Sequence, residues 1–168
     1  MSDSKGSLEL TISREIDVPR ERVWEAWTDP EQLKQWFTPR PYTTPECSID
    51  LRPGGVFYTK MRDPEGNEFP GYGVYLEVVA PAKLVFTDAY TEAWKPSEKP
   101  FMTATVEMDD LGGGRTRYTA TAAHWNVEDL KAHEEMGFFQ GWNTALDQLV
   151  EFIESRGGRR KSEAGACH

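Results

Sequence analysis

Cysteine and histidine are both scarce in this sequence. The 168-residue chain holds two cysteines and three histidines. Cys47 lies mid-chain and Cys167 is next to last, which is no disulfide framework. The expected compartment is therefore the reducing cytoplasm. His124, His133 and His168 form no close pair along the chain, and the cysteines match no zinc spacing. No metal and no cofactor is expected. Long apolar runs are missing too, so nothing is expected to span a membrane. The opening "MSDSKGSLEL" lacks a basic region followed by an apolar one, which argues against a secretory signal. Positive charge is in deficit, with 19 Lys and Arg against 28 Asp and Glu and a net charge of −9. A nucleic-acid surface needs the opposite balance. The basic cluster "RGGRRKS" reads as part of a solvated tail. Ser4, Ser13 and Ser97 lack the glycine turn of a nucleophile elbow. No Lys-Ser or Lys-Thr follows the glycine pairs at a helix start, which excludes a phosphate loop.

Aromatic residues are abundant: six Trp, six Tyr and eight Phe. "LELTISREID" alternates, with Leu8, Leu10, Ile12 and Ile16 on one face, and period two predicts a half-buried strand. Arg14 interrupts that face and is expected to reach solvent or a carboxylate. "DVPRERVWEAW" predicts a helix with Pro19 in its first turn and Val23, Trp24 and Trp27 on one face as core. In "TDPEQ", Asp29 is a helix N-cap, Pro30 suits the first turn and Gln32 completes a capping-box pattern. The second helix carries Leu33, Trp36 and Phe37. Six strands follow: "CSIDL", "VFYTKMR", "GYGVYLEVV", "KLVFTDAY", "FMTATVEM" and "TRYTATAAH", joined by short turns as in an antiparallel meander. Both parities of residues 84–90 hold apolar side chains, so their facing stays open. "NVEDLKAHEEM" opens a helix capped by Asn126, and "GFFQGWNTALDQLVEFIESRGG" is read as its continuation, with a stripe of Phe139, Trp142, Leu146, Leu149 and Ile153. Gly157 and Gly158 are read as its stop. One α+β domain over residues 8–156 is expected, flanked by disordered segments at 1–7 and 157–168.

The stretches "SREIDVPRERVWEAWTDPEQLKQWF", "DLRPGGVFYTKMRDPEGNEFPGYGVYLEVVAPAKLVFTD" and "GFFQGWNTALDQLVEFI" resemble one family. It is named for the activator of the heat-shock protein 90 ATPase and belongs to the SRPBCC (START-related, pollen-allergen-like) superfamily. The resemblance runs from about Leu8 to Glu154. It implies a helix-grip fold: a seven-stranded antiparallel curved sheet around a long C-terminal helix, two short helices after the first strand, and an internal apolar cavity. It also implies a small, largely apolar ligand (lipid, polyketide or aromatic-like), carried or sensed in that cavity. A cyclase or hydrolase using the same cavity is an alternative. A co-chaperone or interaction module, as monomer or homodimer, is another, although the chain has no room for the separate chaperone-gripping domain of the namesake.

On that fold the expected ligand contacts are Phe57, Met61, Met102 and Tyr118 from the sheet and Phe138 and Trp142 from the long helix. Trp36 and Trp94 are expected at the mouth. His124 ends a strand whose parity faces the cavity. His124 and Asp88 are the candidates for acid–base work if the protein is an enzyme.

Overall fold

The computed structural model of the chain describes residues 8–92, 95–97 and 102–167, and for residues 91–92 and 156–167 the backbone alone. The first strand, β1 (Glu9–Ile16), leads into helices α1 (Arg20–Thr28) and α2 (Pro30–Trp36). Then come β2 (Thr43–Ile49), β3 (Val56–Arg62), β4 (Glu68–Val79) and β5 (Lys83–Thr87). A small ribbon of β6 (Tyr90–Glu92) and β7 (Lys95–Pro96) precedes β8 (Met102–Gly112) and β9 (Arg115–His124). Helices α3 (Val127–Glu135) and α4 (Phe138–Cys167) complete the chain. Seven strands form one antiparallel sheet in the order β1-β9-β8-β5-β4-β3-β2. This is the helix-grip arrangement.

Alternation decides which face of the sheet is buried. Leu10, Ile12 and Ile16 of β1 share the core with Tyr118, Ala120 and Ala122 of β9 and with Ala104, Val106 and Met108 of β8. The open question in β5 is resolved in favour of Leu84 and Phe86, which are buried, while Val85 is only half-buried. The opposite face is polar. Thr11 pairs with Thr121 and Ser13 with Thr119, each at 3.2 Å, and Glu15 bridges Arg115 and Arg117.

The two short helices are set by local chemistry. Val23, Ala26 and Trp27 form the buried face of α1, and Trp24 is half-buried beside it. Asp29 ends one helix and begins the next. Its backbone N–H donates to Glu25 O at 2.9 Å, so it is already engaged. Gln32 therefore does not complete a capping box. Its Nε2 donates instead to Asp29 Oδ2 at 3.1 Å, while Asp29 Oδ1 accepts from Glu31 N at 3.0 Å.

The C-terminal helical region is two helices, not the one continuous helix expected. Gly137 has φ of 97°, a left-handed conformation that closes α3. The break re-phases the apolar stripe: Phe138 is buried and Phe139 is 42% exposed, the reverse of the expected stripe. Downstream, Leu146, Leu149 and Ile153 are buried as expected. The Gly157–Gly158 stop signal lies inside α4, whose backbone is helical to Cys167.

The long helix is pinned at its middle. Gln148 Nε2 donates to Trp36 O and Thr38 O at 2.9 Å each, and its Oε1 accepts from Arg40 N at 2.9 Å. Arg40 also pairs with Glu151 at 3.1 Å. Arg14 reaches Asp147 at 2.8 Å and Asn143 Oδ1 at 3.3 Å. The charge that interrupts β1 thus ends on the helix opposite.

Candidate functional site: an aromatic-walled cavity

A cavity of about 280 Å³ lies between the sheet and the start of α4. Trp27, Trp36, Phe37 and Pro39 enclose it from the first helices and the turn after them. Phe86, Met102 and Tyr118 line it from the sheet. His133, Met136, Gly137, Phe138, Gly141, Trp142 and Ala145 close it from α3, α4 and their junction. Among the described residues, no side chain in this wall is a carboxylate, an amine, a guanidinium or a thiol.

The rings brace one another. Trp27 meets Trp36 edge-on with centroids 5.0 Å apart and Phe37 at 5.7 Å. Phe138 lies 5.7 Å from Trp142 and 5.0 Å from His133. The Phe138–Trp142 pair is tilted and the others are edge-to-face; such packing fixes ring orientation and adds about 1 kcal/mol per pair beyond burial.

The polar atoms of the wall are few and mostly engaged. Trp36 Nε1 donates to Ala26 O at 3.1 Å. Trp27 Nε1 donates to the Tyr118 hydroxyl at 3.1 Å. His133 Nδ1 lies 2.9 Å from His124 Nε2. Burial first, then the neighbouring His124, lowers the His133 pKa from its ordinary 6.5 to about 4, so the ring is neutral at pH 7. Burial also pushes the Tyr118 phenol well above its ordinary range. The wall therefore carries no formal charge at neutral pH.

The expected contacts divide. Trp36, Met102, Tyr118, Phe138 and Trp142 line the cavity together. Trp36 is 2% exposed and sits deep in the wall, not at a mouth. Phe57 stands one layer behind, stacked on Tyr75 at 5.3 Å and edge-on to Phe86 at 5.0 Å. Met61 is half-buried near the end of β3, paired with Phe69, and is not part of the wall. His124 is buried behind His133 and reaches the cavity only through it. Asp88 accepts from Met102 N at 3.1 Å and so closes the strand end; it does not line the cavity. Trp94 lies outside the described residues.

Sequence reasoning missed several wall residues. Helical spacing places Trp27 in the core, and it is both core and wall. His133 was passed over because the two histidines are nine residues apart, with a strand end and a helix cap between them; only the fold brings the rings together. Among the described residues no group of three or more His, Cys, Asp or Glu could hold a metal. No described helix is long and apolar enough to cross a membrane.

A seven-stranded antiparallel sheet gripping a long helix, with two short helices after the first strand, defines the helix-grip class. The sequence matches the family model described as "Activator of Hsp90 ATPase homolog 1-like protein" over residues 17–154, and the chain belongs to that family. Protein NE0264 from Nitrosomonas europaea has a solved structure that is 45% identical, with a TM-score of 0.87 over 90% of this chain and 97% of its own. Protein Ms6760 from Mycobacterium smegmatis is 29% identical, with a TM-score of 0.73 over 88% and 91%. An AHSA1-like protein from Aeromonas hydrophila is 25% identical, with a TM-score of 0.67 over 88% and 94%. No curated protein matches the chain.

Proposed function

We propose that this protein binds a small, uncharged, largely apolar molecule in the cavity between its sheet and α4, as a carrier or sensor. The observation that carries this reading is the wall itself: about 280 Å³ of space bounded by aromatic rings whose polar atoms are mostly paired within the protein. Ligand sites are typically pockets of about 300–1,000 Å³ with apolar walls and few polar groups, and this cavity sits at the small end. An apolar cavity of about 150 Å³ already accepts benzene, so this one suits a molecule of about two fused rings. A full-length acyl chain fits poorly.

Carrier or sensor is favoured over cyclase or hydrolase because, among the described residues, the wall offers only His133 and Tyr118 as proton-handling side chains. Burial moves both pKa values away from neutrality, His133 down to about 4 and Tyr118 upward, so neither exchanges a proton readily near pH 7. The test is titration of the protein with tetralin, followed by backbone amide shifts and tryptophan fluorescence. Amides of Trp27, Phe86, Phe138 and Trp142 are expected to shift together and saturably. Trp142→Ala should weaken binding while the folded spectrum persists. Absence of any saturable shift up to the solubility limit of tetralin would sink the reading.

A further inference from the structure

Tyr118 is a fully buried polar group that the wall leaves half-used. Its side chain is fully buried, at 1% exposure, and belongs to the cavity lining. Its oxygen accepts the Trp27 Nε1 hydrogen at 3.1 Å. A phenol can accept and donate at once. No residue among those described accepts the Tyr118 hydrogen. A buried hydroxyl with an unspent donor is less stable than one that is satisfied, because its desolvation is not offset. Here the donor belongs to a side chain that borders empty space, where an acceptor can be supplied.

The Trp27 bond also orients it. By accepting the indole hydrogen, the phenol oxygen has one lone-pair direction occupied, which restricts where its own O–H can turn. The surroundings limit what can be offered in return. Among the described residues no cation lines the cavity, so a carboxylate or phosphate would lose its hydration without compensation from them. A neutral acceptor carries no such penalty.

We infer that the cavity selects apolar ring molecules bearing one uncharged oxygen acceptor, of ketone, quinone or lactone type, and that Tyr118 Oη donates to it. This rests on the cavity being the ligand site, as proposed above. Tyr118 then acts as the specificity-determining residue, and the aromatic walls supply shape and affinity without discrimination.

The experiment compares tetralin with 1-tetralone, which differ by a CH₂ replaced with C=O at nearly equal size. Calorimetry or amide shifts give the two dissociation constants in wild type and in Tyr118→Phe. The variant is expected to weaken 1-tetralone by about threefold to tenfold, the range of one net hydrogen bond, and to change tetralin by less than about twofold. Equal losses for both ligands, or no loss for either, overturn the inference and leave the cavity reading standing. Binding of neither ligand to wild type overturns the cavity reading and this inference with it. Tyr118→Phe also strands the Trp27 N–H and can lose stability, so wild type alone provides a second measurement. The carbonyl stretch of bound 1-tetralone should fall below its value in an alkane solvent. A stretch at the alkane value overturns the assignment whether or not the variant folds.

Discussion

Two buried tyrosines make opposite uses of the same hydroxyl. Tyr118 Oη accepts from Trp27, whereas the Tyr75 hydroxyl is buried with no partner among the described residues. Removing an unsatisfied group relieves its desolvation cost; removing one partner of a bond creates that cost. Tyr75→Phe is therefore expected to be neutral or to stabilise by up to about 1 kcal/mol, and Trp27→Phe to destabilise by about 3–5 kcal/mol through lost packing and an abandoned phenol. Urea unfolding of the two variants checks the contrast. His133 supplies a second prediction at this scale. Its pKa is lowered on folding, so the unfolded chain binds its proton more tightly. Its contribution to stability is complete above about pH 6.5 and is lost as pH falls from there toward about 4. The carboxylates of Glu15, Glu68 and Asp63 are held below their ordinary 4.5 and 3.8 by arginine, lysine or asparagine partners, so their losses set in lower. In wild type the melting temperature should begin to drop below about pH 6.5. His133→Gln should flatten the upper part of that slope; an unchanged slope would refute the assignment.

The elements were legible wherever one period dominates. β1, β8 and β9 carry alternation that any sheet face would enforce, and the Asp29–Pro30 signal marks the junction of α1 and α2. What could not be read was geometry that depends on two elements at once. "GFFQGW" fits a helical stripe equally well with Phe138 or Phe139 inward; only the left-handed turn at Gly137 fixes the phase. The cavity wall was half legible for the same reason. Met102 and Tyr118 follow from strand parity and Trp142 from the helical stripe, whereas His133 and Met136 join the wall only because the chain turns between α3 and α4. The glycines give an element-scale test. A Cβ on Gly55 would stand 2.0 Å from Asp50 O, a clash with backbone that cannot yield. A Cβ on Gly137 would meet Gln140 Oε1 at an ordinary 3.5 Å, leaving the left-handed φ as its only penalty. Gly137→Ala should cost about 1–2 kcal/mol. Gly55→Ala should cost clearly more or prevent folding, as judged by thermal melts and soluble yield.

Across the whole molecule, the long helix has two unlike ends to its described contacts. Around Asn143 to Glu151 it is held by Arg14, by the three hydrogen bonds of Gln148 and by Arg40. Before Asn143, Phe138 and Trp142 hold it through ring contacts and border empty volume. The helix is a cantilever, clamped along its middle turns and projecting its first turn over the cavity. Amide exchange should grade along it, slow near Leu149 and progressively faster back toward Trp142, and filling the cavity should slow the projecting turn while leaving the clamped one unchanged. The beam's stiffness would then set how readily a guest comes and goes, so a substitution at Gln148, whose own side chain is not part of the cavity wall, would alter its residence time.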